Sequence, residues 1–218
     1  MRSKSTIRKY DTCFFERYAQ LVLAEFLGDG YAQLVNEDRP DLQSPDGRSM
    51  GIEVTRAMEQ SKDAARTLLK EMAGVTPMQE DFDDIEQIVR TGYGYGLDNG
   101  KYIGSRELSY WSMALPLANI LESKVAKVVN GFYGDFDEFG LYVFSKDNLS
   151  EAEVIKAYKY VMRLQKYQEQ KYSTLYLSEI NELHVCNLRD GIKDASRIAS
   201  FGISQDLRKR FFLDSLEY

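Results

Sequence analysis

Two acidic residues and one hydroxyl residue are the side chains of this sequence best suited to chemistry on a bound cation. Asp41 precedes a turn-rich segment, Ser44-Pro45-Asp46-Gly47-Arg48, and Glu53 and Thr55 follow it at alternate positions. Turn residues between two short apolar-alternating segments predict a β-hairpin. Residues two apart on a strand share a face, as do cross-strand partners. We therefore expect Asp41, Glu53 and Thr55 on one face of the hairpin.

The spacing of the two carboxylates depends on the hairpin register. With residues 44–48 as the loop, regular pairing places Asp41 opposite Gly51. Asp41 and Glu53 are then diagonal neighbours, with Cα atoms roughly 7–8 Å apart. Two carboxylates at that distance can hold one divalent cation, and hard oxygen ligands suit Mg²⁺ or Mn²⁺. The alternative interpretation is structural: Glu53 and Thr55 belong to the solvated face of an amphipathic strand, and Asp41 is a turn residue.

A third carboxylate lies on the predicted first helix. Asp11 or Thr12 is a typical N-cap, and the apolar residues that follow recur at helical spacing as far as Leu27. Glu25 lies four residues after Leu21, at the next step of that apolar stripe. The spacing therefore predicts that the Glu25 carboxylate faces the body of the protein.

The remaining elements are predicted from hydrophobic spacing and from residues typical of helix ends. In chain order they are a helix at 58–73, an irregular or helical insertion at about 76–115, a helix at 117–130, a strand at 141–144, a helix capped by Ser150 with Glu153, strands at 174–177 and 183–187, and a C-terminal helix. This order predicts one α/β domain over residues 1–218.

Composition excludes several other classes of protein. The 218 residues carry 28 basic and 34 acidic side chains, a net charge of −6, which argues against binding nucleic acid through overall positive charge. Cys13 and Cys186 are too far apart for a CxxC motif, and a single histidine, His184, excludes a His-rich metal site. We interpret His184, on a predicted strand, as a hydrogen-bonded structural residue. No apolar run approaches the roughly 18 residues of a spanning helix and no secretory leader is evident, so we predict a soluble, cytoplasmic protein without membrane contact.

Residues 40–55 resemble the active-site segment of the PD-(D/E)XK nuclease superfamily, which has the restriction-endonuclease-like fold. In that superfamily one strand carries Pro-Asp, and the next strand carries an acidic residue, any residue and a lysine. Here Pro40-Asp41 corresponds to the first part of the motif and Glu53-Val54-Thr55 to the second. The superfamily core has the order α-β-β-β-α-β, with a mixed sheet flanked by helices. The predicted first helix, hairpin, strand at 141–144, following helix and strand at 174–177 have the same order.

The resemblance implies metal-dependent hydrolysis of DNA phosphodiester bonds. Asp41, Glu53 and the Val54 carbonyl would hold Mg²⁺ or Mn²⁺, and Glu25 would take the place of the acidic residue that many members supply from the first helix. We expect DNA as the partner, with RNA as an alternative, and leave a homodimer open. A basic surface from the N-terminal arm, the helix at 117–130 and Arg208 to Arg210 would attract the polyanion.

The third motif position departs from the superfamily pattern because Thr55 replaces the lysine. A hydroxyl can hold a water molecule but brings no positive charge to a developing phosphate charge. Some superfamily members recruit the lysine from a nearby helix, and Lys124 and then Lys127 are the candidates here. Either could instead be a surface lysine whose stem packs on apolar neighbours. Without a lysine, the site would be inactive or would use a different mechanism, and an inactive chain would be a non-catalytic nucleic-acid-binding or protein-interaction module. A generic α/β protein with an unrelated small-molecule site is the third alternative, because the insertion at 76–115 is unexplained.

Overall fold

The computed structural model describes residues 14–57, 97–98, 101–102, 117–145, 148–189 and 197–216. The predicted helix at 58–73, most of the insertion at 76–115, Cys13 and the basic N-terminal arm lie outside the described residues. Within the described part of the chain, no helix combines the length and the apolar character needed to cross a membrane.

Five helices and nine strands are described. The helices are α1 (Phe14–Leu27), α2 (Asp29–Ala32), α3 (Leu117–Val129), α4 (Glu151–Leu164) and α5 (Gln205–Leu216). The strands are β1 (Val35–Asn36), β2 (Leu42–Gln43), β3 (Met50–Ala57), β4 (Leu97–Asp98), β5 (Lys101–Tyr102), β6 (Glu138–Ser145), β7 (Thr174–Ser178), β8 (Glu182–Asn187) and β9 (Ile198–Gly202). Strand β9 has no counterpart among the elements expected from the sequence.

Seven of the strands form one mixed sheet, in the order β1-β2-β3-β6-β7-β8-β9. Strands β3, β6 and β7 are mutually parallel, and the other neighbouring pairs are antiparallel. Parallel neighbours need a long crossover, and α4 lies in the connection between β6 and β7. The sheet and its helices confirm the predicted α/β class with a mixed sheet flanked by helices.

Each face of the sheet carries its own apolar core. Ile52, Tyr142 and Tyr176 point to one face, where they share a core with residues of α1 and α5. Leu141 and Leu175 point to the other face, where they share a core with residues of α3 and α4. Since side chains alternate along a strand, Glu53 and Thr55 point to the α3 side. The sheet register therefore places the predicted site residues beneath a helix, not in solvent.

The hairpin register differs from the sequence prediction by two residues. Leu42 pairs with Ile52 and Gln43 with Gly51, so the expectation that Asp41 lies opposite Gly51 is wrong. The cause is Asp46, whose carboxylate accepts backbone hydrogen bonds from the N–H groups of residues 48 and 49 and thereby draws the loop around itself. A slip of two residues keeps every side chain on its face. It brings Asp41 into line with Glu53 itself.

Substitution of Gly51 should destabilise the strand that carries Glu53. A Cβ at residue 51 would lie 2.8 Å from Pro40 Cγ and 2.9 Å from the Phe136 ring, so Gly51→Ala forces neighbouring groups apart. We expect a loss of about 1–3 kcal/mol in the free energy of unfolding, measured by urea denaturation. Gly202→Ala is the matched control, since it also lies in a strand but a Cβ there meets nothing within 4 Å. Equal stabilities for the two variants would contradict the close packing at Gly51.

Candidate active site

A buried ion pair joins the sheet to helix α3. Lys124 Nζ lies 2.5 Å from Glu53 Oε1, and the two side chains are only 4% and 7% exposed. Lys124 follows Ile120 by four residues and Leu121 by three, so it lies within the apolar stripe that packs α3 onto the sheet. The structure thus directs this lysine inward, onto the second acidic residue of the hairpin.

Asp41 lies at the edge of β3, next to Glu53. Its Oδ2 accepts a 2.7 Å hydrogen bond from the Val54 N–H. The N–H and C=O of one strand residue project to the same edge, so the Val54 carbonyl also emerges on the Asp41 side. Burial, followed by the carboxylates of Glu53 and Glu16, raises the pKa of Asp41 well above its ordinary value, against the opposing effects of Lys124 and the Val54 hydrogen bond. The electrostatics of the site therefore favour an added positive charge.

The acidic residue that α1 brings near Asp41 is Glu16. Asn36 Nδ2 donates to Glu16 Oε2 at 2.5 Å and to the Asp41 carbonyl at 3.1 Å, which ties the start of α1 to the hairpin. Glu25 is exposed, and its Oε2 lies 2.5 Å from Arg210 of α5. The expectation that Glu25 faces the body of the protein is therefore wrong, because the last turn of α1 runs beside α5 instead. Sequence reasoning missed Glu16, which lies nine residues earlier and so on the opposite side of the helix.

A second lysine and an arginine meet at the end of α3. Gly131 adopts a left-handed conformation (φ 66°), and the Phe132 N–H donates back to the Lys127 carbonyl at 3.0 Å. This C-terminal turn folds the half-exposed Phe132 ring against its own helix. Lys127 Nζ and Arg39 Cζ each lie 4.9 Å from the centre of that ring, within the range of a cation–π contact.

Lys127 belongs to the same electrostatic cluster as the two hairpin carboxylates. Burial and the Lys124 ammonium lower the pKa of Lys127 to about 8, with a smaller contribution from Arg39, while Glu53 and Asp41 act in the opposite direction. Arg39 itself has a φ of 67°, a conformation that is uncommon for residues other than glycine. Backbone strain of this kind concentrates at functional sites, and here it lies two residues before Asp41.

Thr55 and two tyrosines complete the surroundings of Glu53. Thr55 is buried, one step further along the same face of β3. Tyr133 and Tyr172 are also buried, and burial is the largest cause of their raised pKa values, to which the Glu53 charge adds. Both phenols therefore stay protonated at neutral pH, and their rings keep water from one side of the ion pair.

The structure brings together five of the six side chains that sequence spacing and the family resemblance single out. Asp41, Glu53, Thr55, Lys124 and Lys127 share one region between β3 and α3, and Glu25 does not. No protein-family model, no curated protein and no solved structure matches this chain. The chemistry of the site must therefore be argued from its own residues.

Removing the Lys124 charge should destabilise the fold strongly. Lys124→Met leaves the Glu53 carboxylate buried without its ammonium partner, and we expect a loss of about 3–5 kcal/mol in the free energy of unfolding at pH 7. The double variant Glu53→Gln/Lys124→Met should recover most of that loss, since neither charge is then left alone. Urea denaturation of the two single variants and the double variant measures the coupling.

An exposed ion pair of the same length provides the control. Arg210 and Glu25 are also 2.5 Å apart, but their side chains are 50% and 38% exposed. Arg210→Met should therefore cost less than about 1 kcal/mol. If Lys124→Met and Arg210→Met had equal effects, burial would not govern the Lys124–Glu53 interaction.

Proposed function

We propose that this chain is a metal-dependent endonuclease-like enzyme of the PD-(D/E)XK type that hydrolyses DNA phosphodiester bonds. The observation that supports this proposal best is the contact between Lys124 and Glu53. The motif position that should hold a lysine is Thr55, which has no charge. The Lys124 ammonium of α3 lies next to Glu53, the second acidic residue of the motif, and replaces the missing charge.

The donor set beside Lys124 suits a hard divalent cation. Asp41 and Glu53 offer carboxylate oxygens, Val54 offers its carbonyl, and Glu16 is near enough to raise the pKa of Asp41. Oxygen-only ligands of this kind favour Mg²⁺ or Mn²⁺. When bound, such a metal lowers the pKa of a coordinated water and neutralises charge on a scissile phosphate.

The protein's own residues would have distinct roles in the reaction. The Val54 N–H fixes the orientation of Asp41 through their 2.7 Å hydrogen bond. The Lys124 ammonium stabilises negative charge that develops on the phosphate. The Thr55 hydroxyl can hold a water molecule next to Glu53. Tyr133 and Tyr172 exclude bulk water from one side, which strengthens these interactions.

Arg39, Lys127 and Phe132 provide a local surface for the substrate backbone. Two cations lie over one half-exposed aromatic ring, next to the carboxylate pair. Cations placed this way can contact the phosphates of a nucleic acid. This local positive charge contrasts with the net charge of the whole protein, which is −6. The basic residues Arg208–Arg210 lie on α5, which packs on the other face of the sheet and so serves this surface poorly.

A second candidate function is a non-catalytic module that binds nucleic acid or protein. The observation that favours it is the same 2.5 Å contact between Lys124 and Glu53, because an ammonium so close already neutralises the carboxylate. With Glu53 satisfied internally, the site would bind a phosphate without cleaving it. The two functions differ in whether a divalent metal produces turnover.

The enzyme proposal predicts nicking of supercoiled plasmid DNA that requires Mg²⁺ or Mn²⁺. Asp41→Asn and Glu53→Gln should each reduce the nicking rate by at least about a hundredfold, because each removes a charged metal ligand. Glu25→Gln is the matched control, since Glu25 is an acidic residue of the same chain that is exposed and paired with Arg210. It should keep the wild-type rate.

Two readouts separate loss of chemistry from loss of fold. Circular dichroism should show that Asp41→Asn, which leaves the Lys124–Glu53 pair intact, remains folded, and gel-shift assays should show that it still binds DNA. Binding without metal-dependent cleavage by the wild-type chain would support the non-catalytic module instead. Absence of both DNA and RNA binding at low salt would contradict both functions.

The lowered pKa of Lys127 predicts that DNA affinity depends on pH. Lys127 is charged below about pH 8 and increasingly neutral above it. For Asp41→Asn, which binds without cleaving, the slope of log affinity against log salt should decrease between pH 7 and pH 9, by up to about 0.9, the value for one complete phosphate contact. Lys127→Arg in the same background should keep a constant slope, since arginine stays protonated. Identical pH profiles for the two proteins would show that Lys127 does not contact DNA.

A further inference from the structure

A second group of potential ligands lies at the turn between β7 and β8. Glu179, Glu182 and His184 each direct one ligand atom into a space where all three atoms lie within 4.8 Å of one another. Glu179 and His184 are buried, at 6% and 5% exposure, and Glu182 is half-buried. Atoms so close together can share one ion, and the half-buried Glu182 leaves a route from solvent.

Groups outside the three ligands hold two of them in position. Ser200 Oγ lies 2.8 Å from His184 Nδ1, on the partner strand β9, and the Leu149 N–H donates to Glu179 Oε1 at 2.8 Å. With Nδ1 bonded to Ser200, the Nε2 atom faces Glu179 Oε1 at 3.0 Å. In the tautomer that carries its proton on Nδ1, the Nε2 lone pair and the Glu179 carboxylate can both be donated to one metal ion.

This cluster is separate from the carboxylate pair of the candidate active site. Thr55 pairs with Val143, Val143 with Leu177, and Leu177 with His184, so the four residues form one row across the sheet. Three strand spacings separate Thr55 from His184, about 14 Å. Val143 and Leu177 are fully buried between them, so neither site can lend a ligand to the other.

We propose that Glu179, Glu182 and His184 form a site for a first-row transition-metal dication such as Zn²⁺ or Mn²⁺. The imidazole nitrogen makes this ligand set softer than the all-oxygen set around Asp41 and Glu53, so it favours these ions over Mg²⁺. A metal-bound histidine typically donates its other ring N–H to an outer acceptor, and here the Ser200 hydroxyl oxygen lies 2.8 Å from Nδ1 to accept it. The proposal is independent of the nuclease activity.

A metal at this position would stabilise the fold. It would join the end of β7 to β8, and Glu179 already holds the residue before the Ser150 cap of α4 through the Leu149 N–H. A ligand that binds only the folded state raises the unfolding temperature with its concentration. We therefore expect Zn²⁺ to raise the melting temperature of the wild-type chain.

The test uses the fact that this chain contains one histidine. The full chain, freed of any histidine tag, is loaded with Mn²⁺ and examined by pulsed electron paramagnetic resonance for modulation by a coordinated imidazole nitrogen. We expect that signal in the wild type and in Asp41→Asn, since only His184 can produce it. His184→Gln should lose it. Glu182→Gln should weaken Mn²⁺ affinity by about tenfold or more, in line with the loss of a ligating carboxylate.

The control variants distinguish this site from the candidate active site and from nonspecific binding of cations by exposed acidic residues. Glu169→Gln, which removes an exposed acidic residue elsewhere, should leave both the nitrogen signal and the Zn²⁺-dependent rise in melting temperature unchanged. Bound Mn²⁺ without nitrogen modulation in the wild type would overturn the proposal, as would the absence of any Mn²⁺ binding at millimolar concentration. Loss of nuclease activity in Asp41→Asn with the nitrogen signal intact would show that the two sites are independent.

Discussion

The buried ion pair between Lys124 and Glu53 is the interaction on which the arrangement of the site depends. Strand β3 is buried on both faces, so a carboxylate at residue 53 cannot reach bulk water and needs a cation from the layer above it. Helix α3 supplies that cation from within its own apolar stripe. Buried ion pairs commonly contribute less to stability than apolar residues of the same size. Removing one partner, however, would leave the other charge buried and alone, so the pair fixes how α3 docks on β3.

The sequence predicts which face of the sheet the site residues occupy better than it predicts their register. Alternation along the hairpin fixes the face, and a slip of two residues leaves that face unchanged. The register itself depends on Asp46, whose carboxylate collects the backbone N–H groups of the turn. Asp46-Gly47 indicates a turn in the sequence, but it does not indicate which backbone N–H groups will donate to the Asp46 carboxylate. The predicted diagonal contact between Asp41 and Glu53 was therefore off by two residues although the two residues were correctly placed on one face.

Contacts between distant elements account for what the sequence could not supply. Glu25 and Glu16 are both acidic residues of α1, and only the docking of α5 against the last turn and of the hairpin against the first turn distinguishes them. His184 similarly looks like a structural residue on its own strand. Its neighbours Glu179 and Ser200 come from the preceding turn and from β9, a strand that the sequence pattern did not reveal. Helical and strand periodicity carry no information about such partners.

In the proposed enzyme, a lysine carried by α3 instead of β3 would change how charge and substrate binding are linked. A lysine at position 55 would be fixed by β3 alone, independently of any helix. Here α3 carries Lys124 in its interior and Lys127 in its last turn, where the helix dipole favours a cation, and its C-terminal turn positions Phe132. In the proposed enzyme, one rigid element would therefore deliver the charge for the scissile phosphate and contacts for the strand beside it. Any displacement of α3 would weaken both together, so the docking of this helix, through the ion pair with Glu53, would set both substrate binding and catalysis.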